Sequence, residues 1–150
     1  RITAAIKAYQ AKNSSSGRVF SGVFGWPLPS GYTTVTSEYG PRFHPILKVN
    51  KMHTGVDFSA PNGTEIYAAD DGVVIIAGWS TAYGNYVVID HGSGVTTLYG
   101  HMSKLGTTAN ATVSRGDVIG YVGSTGYSTG NHLHFEVQLN GECTSPWNYL

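Results

Sequence analysis

Between Glu65 and Tyr99 the chain repeats one pattern: short runs rich in Val, Ile, Thr and Tyr, broken by turn residues. The runs Glu65 to Ala69, Gly72 to Trp79, Asn85 to Asp90 and Val95 to Tyr99 are separated by Asp71-Gly72, Tyr83-Gly84-Asn85 and Gly92-Ser93-Gly94. β-Branched and aromatic side chains suit a pleated, half-buried surface, while Gly and Asp supply tight turns. Short strands at this spacing predict an antiparallel, mainly β fold. Upstream, Trp26-Pro27-Leu28-Pro29 reads as an extended lead-in. Thr33 to Thr36 reads as a strand, Ser37 to Pro45 as a loop punctuated by Gly and Pro, and Lys48 to Met52 leads into His53. Downstream, Val113 to Gly120 turns into another strand. Ser124 to Gly130 is a loop of small residues running directly into Asn131-His132-Leu133-His134-Phe135. Helical spacing occurs at the N-terminus, where Ile2, Ala5, Ile6 and Tyr9 recur on one face. Residues 1–11 therefore predict a short helix, followed by the flexible linker Asn13 to Gly17. The expected organisation is an N-terminal helical segment and linker over residues 1–20 and one domain over residues 21–150.

Composition narrows the function classes. At 150 residues the chain suits a single domain with a proper core. Its net charge is zero with 12% charged residues and no basic run, which argues against nucleic acid or anionic lipid as the main partner. No apolar run approaches the ~20 residues of a transmembrane segment. The chain begins with Arg1 and shows no signal peptide, so it reads as a processed product or a piece of something longer. Cys143 is the one cysteine, which excludes an intrachain disulfide and a cysteine-ligated zinc site. It lies in Gly141-Glu142-Cys143-Thr144-Ser145-Pro146, read as a turn, and is expected to be inert.

The chemistry concentrates on histidine. In an extended strand, side chains i and i+2 share a face, so His132 and His134 project together while Leu133 and Phe135 face a core. Such a pair can grip a metal, divide metal binding and proton transfer, or simply sit on a half-exposed strand. His53 and Asp57 are four apart around Gly55, in sequence too poor for a helix, so a strand end or loop folds both groups inward. Together with one of His132 or His134 they compose two imidazoles and a carboxylate, with a fourth position left for water, which is the pattern of a catalytic zinc site. The spare histidine and His101, at the end of a strand, are then available to move protons. His44 and His91 are read as structural, the latter in a turn. Glu136 alternates onto the face of His134, either supporting that residue or solvated. Tyr39, Phe43, Tyr83 and Tyr127 belong to the core or line a groove. There is no Gly-x-Ser-x-Gly elbow, His-Glu-x-x-His helix or phosphate-binding glycine loop.

From Thr36 to the C-terminus the chain resembles the lysostaphin-type, LytM-like zinc endopeptidases that cut peptidoglycan cross-links. The resemblance rests on ordered motifs: Tyr39-Gly40-Pro41-Arg42-Phe43-His44-Pro45, His53-Thr54-Gly55-Val56-Asp57, Ala69 to Val74, Tyr83-Gly84-Asn85, Leu98 to Met102 and Ser124 to Glu136. It implies an antiparallel β-sheet core with a substrate groove between loops. It further implies zinc (Zn2+) held by His53, Asp57 and His134, with His101 and His132 as the catalytic histidines that do not ligate. Action outside the cytoplasm, on peptidoglycan stem and cross-bridge peptides, is expected. The stretch around Tyr39 to Pro45 favours D-alanyl–diamino acid cross-links over glycyl bridges. Asn131 replaces the Pro found in many relatives, without removing a chemical group. The alternative is a non-catalytic peptidoglycan-binding or hydrolase-activating scaffold, a role taken by family members that have lost ligands. A third reading is an active enzyme held off by residues 1–20 lying in the groove.

Overall fold

A computed structural model of the chain describes residues 22–44, 49–126, 128 and 130–150. The expected N-terminal helix and its inhibitory placement lie outside the described residues, as do the side chains of Phe43, His44 and Tyr127.

Strand β11 (His132–Leu139) shows how patterning sets the layout. Leu133, Phe135 and Val137 are fully buried on one face, in a core shared with Val56, Phe58, Val87, Ile89 and Tyr99. His132, His134, Glu136 and Gln138 occupy the opposite face. The other strands are β1 (Val35–Ser37), β2 (Gly40–His44), β3 (Val49–His53), β4 (Val56–Ser59), β5 (Glu65–Tyr67), β6 (Gly72–Ser80), β7 (Gly84–Gly92), β8 (Val95–Leu105), β9 (Thr112–Val113), β10 (Val118–Val122) and β12 (Glu142–Thr144). The main sheet has the order β1-β4-β11-β8-β7-β6-β9, with β12 alongside β11 and β10 bridging β8 to β5. Strands β2 and β3 form a separate two-stranded ribbon. Every ladder is antiparallel among the described residues. The mainly β expectation therefore holds, and the one helical feature in this part is the single 3-10 turn Pro146–Asn148.

The lead-in segment completes the core from below. Phe24 and Leu28 are buried, and the Phe24 ring sits 5.2 Å from the His91 ring and 5.3 Å from Tyr149. Arg115 ties this segment down by donating from Nη2 to the Val23 carbonyl at 2.5 Å and to Asp70 Oδ1 at 3.3 Å.

Four local expectations are corrected. The Ser37 to Pro45 stretch is not a plain loop, because Gly40 to His44 pairs with Val49 to His53. Proline lacks an N–H but is tolerated in a short ribbon with a free edge, and Gly40, at φ 122°, makes the bend into the strand. Strand β8 does not end within Tyr99-Gly100-His101-Met102 but continues to Leu105, where it meets Gly120 of β10. His91 is no turn histidine. It is buried in β7, with Nδ1 2.8 Å from the Asp71 carbonyl and Nε2 2.7 Å from Thr97 Oγ1. Cys143 likewise lies in β12 rather than a turn.

Gly55 lets the link between β3 and β4 lie flat on β11. A Cβ there would stand 2.4 Å from the Phe135 carbonyl oxygen and 2.9 Å from Glu136 Cγ. Since the first obstacle is main chain, Gly55→Ala is expected to cost about 1–3 kcal/mol by overpacking. A lowered thermal midpoint of the metal-free protein checks this.

Candidate metal and catalytic centre

Strand register assembles the site. In the β4–β11 ladder His134 lies directly opposite Asp57, and His132 opposite Ser59. His53 ends β3 and reaches the same place through the tight Thr54-Gly55 link. Donor atoms of His53, Asp57 and His134 all lie within 4.8 Å of one another. Asp57 is the hub. Its Oδ1 is 2.7 Å from His134 Nδ1, and its Oδ2 is 3.3 Å from His53 Nε2 and 3.7 Å from His132 Nε2.

The orientation of each ring follows from its outer contact. His53 Nδ1 is 2.8 Å from the Glu38 carbonyl, His101 Nδ1 is 2.6 Å from the Thr125 carbonyl, and His132 Nδ1 is 2.9 Å from the Gly130 carbonyl. A carbonyl only accepts, so each of these rings carries a proton on Nδ1 and turns Nε2 toward the cluster. His134 is turned the other way, with Nε2 2.9 Å from Glu136 Oε1.

His101 occupies a strained position. Its φ is 63°, in the left-handed region that a bulky residue rarely adopts. The strain coincides with a β-bulge: Asn85 pairs with Met102 and Val87 with Tyr99, so β8 carries one extra residue between them. Two contacts hold it there, the ring bond to Thr125 and a 2.6 Å bond from His101 N to the Tyr83 carbonyl. The bulge turns the imidazole toward His132, whose ring centroid is 4.8 Å away.

Electrostatics separate the groups. Burial penalises the Asp57 carboxylate, but hydrogen bonds from His134 and His53 outweigh it and hold the group well below the usual carboxylate range. Burial opposes a charge on His134, yet its hydrogen bonds to Asp57 and Glu136 bring it up to about 9. For His101 burial dominates and lowers the imidazole, keeping it neutral and able to accept a proton. The Cys143 thiol is pushed up to about 12 by burial and the nearby Glu136, so it stays a thiol, consistent with an inert cysteine.

Two imidazole nitrogens and one carboxylate oxygen make a donor set that fits zinc, with room for a fourth, exchangeable position. All five residues singled out in the sequence are thus gathered at one end of the sheet. Sequence reasoning missed the carbonyls of Glu38, Thr125 and Gly130 that orient three of the rings, because backbone acceptors leave no residue signature. It also missed Thr54, whose hydroxyl donates to Glu136 Oε1 at 2.6 Å.

Comparison with known proteins agrees with this geometry. Residues 51–146 match Peptidase family M23. The chain is 47% identical over 131 residues to the DD-carboxypeptidase/endopeptidase Mpg of Neisseria meningitidis, a match covering 87% of this chain and 30% of that protein. A zinc containing peptidase from Vibrio cholerae superposes with a TM-score of 0.80 at 34% identity, covering 87% of this chain and 43% of that one. The catalytic domain of lysostaphin from Staphylococcus simulans superposes with a TM-score of 0.69 at 35% identity, covering 76% of this chain and 89% of that one. The fold is that of a lysostaphin-type peptidase. The chain belongs to peptidase family M23, and it spans about a third of the length of the curated relative it matches.

Metal binding at His134 Nδ1 requires loss of the proton that Asp57 and Glu136 retain on that ring. With His134 raised to about 9, zinc binding at pH 7 should release close to one proton, and affinity should climb roughly tenfold per pH unit up to about pH 9. Calorimetric titration in buffers of different ionisation enthalpy reads the proton count; a count near zero contradicts it.

Proposed function

We propose that this domain is a zinc-dependent endopeptidase that hydrolyses peptide cross-links of bacterial peptidoglycan. D-alanyl–diamino acid links are the preferred class and glycyl bridges the second, with the work done outside the cytoplasm. The observation that carries the reading is the complete set of His53, Asp57 and His134 with His101 and His132 beside it. The similarity to a DD-carboxypeptidase/endopeptidase supports the D-alanyl class. A non-catalytic scaffold role is disfavoured because no donor or proton-carrying group of the set is missing.

His53, Asp57 and His134 would hold the metal, which when bound supplies Lewis acidity toward a carbonyl and makes a water more acidic. The Nε2 atoms of His101 and His132 face the space beside this donor set. Either can take the proton of the attacking water, and the protonated ring can hydrogen-bond developing negative charge on the carbonyl oxygen or return a proton to the leaving amine. Their Nδ1–H bonds to backbone carbonyls fix both rings for that work without adding a charge. The burial that lowers His101 suits a base that must be unprotonated at neutral pH.

The test combines metal analysis with mass spectrometry of fragments released from defined muropeptides. His134→Ala should lose both zinc and cleavage, and full activity with retained zinc would sink the assignment. His132→Ala should keep zinc but lose turnover by about 10²–10⁴-fold, the usual worth of a general acid or base.

A further inference from the structure

We propose that Glu136 is a positioning residue for the metal centre: it fixes the nitrogen that His134 presents to the donor cluster and couples that ring to the His53–Asp57 link. The inference rests on the zinc reading above. Four histidines meet at this end of the sheet, and three are oriented by main-chain carbonyls at Nδ1. His134 alone presents Nδ1 inward, 2.7 Å from Asp57 Oδ1. Its orienting contact must therefore act at Nε2. Glu136, two residues on and on the same strand face, supplies it at 2.9 Å.

The surroundings mark Glu136 as an ionised acceptor. The residue is fully buried. Its Oε1 receives the Thr54 hydroxyl at 2.6 Å and the Tyr83 hydroxyl at 2.5 Å, besides the His134 ring. Its Oε2 receives Gln138 Nε2 at 3.2 Å and faces the Cys143 thiol at 3.7 Å. A buried carboxyl surrounded by donors on both oxygens has no place for a proton of its own. It accepts the His134 Nε2–H, so the lone pair on Nδ1 is directed at the metal position.

The same oxygen ties separate parts of the site together. Thr54 sits between the proposed ligands His53 and Asp57, and Gly55 lets that link rest against Glu136 Cγ. Tyr83 comes from the β6–β7 turn, and its carbonyl accepts from His101 N. Glu136 thus joins the third ligand, the link carrying the first two, and the turn that supports His101. A carboxylate behind a ligating imidazole also strengthens the imidazole as a donor, and losing such a partner typically costs ten- to a hundredfold in metal affinity.

The experiment measures zinc affinity by chelator competition for the wild type, Glu136→Gln and Tyr83→Phe, with folding followed by thermal melts. Glu136→Gln keeps the size and can still accept, but lacks the charge; its affinity should fall at least tenfold. The visible spectrum of its Co(II)-substituted form should shift. Tyr83→Phe leaves the carboxylate in place and should stay within about threefold of wild type. Nitrogen-15 NMR of the zinc-loaded wild type should show His134 protonated at Nε2 and His53 at Nδ1, a readout that stands even if the Gln variant fails to fold. Unchanged affinity in Glu136→Gln, or His134 protonated at Nδ1 in the loaded protein, overturns the role of Glu136 alone. A wild-type protein that binds no zinc overturns the functional reading as well.

Discussion

The antiparallel register between β4 and β11 is the constraint on which the site depends. It sets His134 opposite Asp57 and, through the alternation of faces, sends Leu133 and Phe135 into the core beside Val56 and Phe58. Because the side-chain period in a strand is two, a slip of one residue would move the histidines into the core and the apolar residues to the surface. The buried leucine and phenylalanine thus hold the imidazoles in place. The neighbouring strand is fitted to the same arrangement. Gly100 of β8 lies opposite His134, and a Cβ there would stand 3.3 Å from Tyr83 Cδ1 and 3.5 Å from His134 Cβ. The absence of a side chain at Gly100 is what allows the Tyr83 ring to lie against His134, with centroids 5.5 Å apart.

Charge explains why this end of the sheet is a place for a cation. Two carboxylates, Asp57 and Glu136, flank one buried imidazole at 2.7 and 2.9 Å. Desolvating charges is costly unless each is paired and hydrogen-bonded. Glu136 is satisfied by its hydroxyl donors. Asp57 leans on the histidines, so without a metal the balance falls to a proton on His134, which accounts for its rise to about 9. A metal ion and that proton compete for the same lone pair.

Much of this was legible in the sequence, for identifiable physical reasons. Period-two alternation in His132 to Phe135 predicts the shared face, and runs of Val and Ile between glycine turns predict the sheet. What was not legible depends on tertiary contacts. The continuation of β8 past Gly100-His101 was hidden because a glycine and a bulge look like a strand end. The pairing of Gly40 to His44 was masked by Pro41. His91 sits in Asp90-His91-Gly92, a turn-like triplet, yet its bonds to the Asp71 carbonyl and Thr97 bury it in β7. Two readings stood open for Glu136, and its complete burial decides between them; alternation places a residue on a face but does not say what covers that face.

The two like residues that this alternation puts on one face meet different partners. Side chains at i and i+2 share a face roughly 6.7 Å apart along the strand, so their ladder partners, rather than their spacing, tell the two rings apart. His134 is level with Asp57 in the ladder and takes the inner oxygen; His132 is level with Ser59 and reaches only the outer oxygen, at 3.7 Å. Their tethers reinforce the division. A main-chain carbonyl stands behind His132, whereas a carboxylate stands behind His134 and favours a cation at its inner nitrogen. His101, carried on a strained bulge 4.8 Å from His132, completes a pair set off from the donor cluster by one strand repeat. On the proposed roles, ligand and base would differ by ladder position and by the acceptor behind each ring, since the side chains themselves are identical.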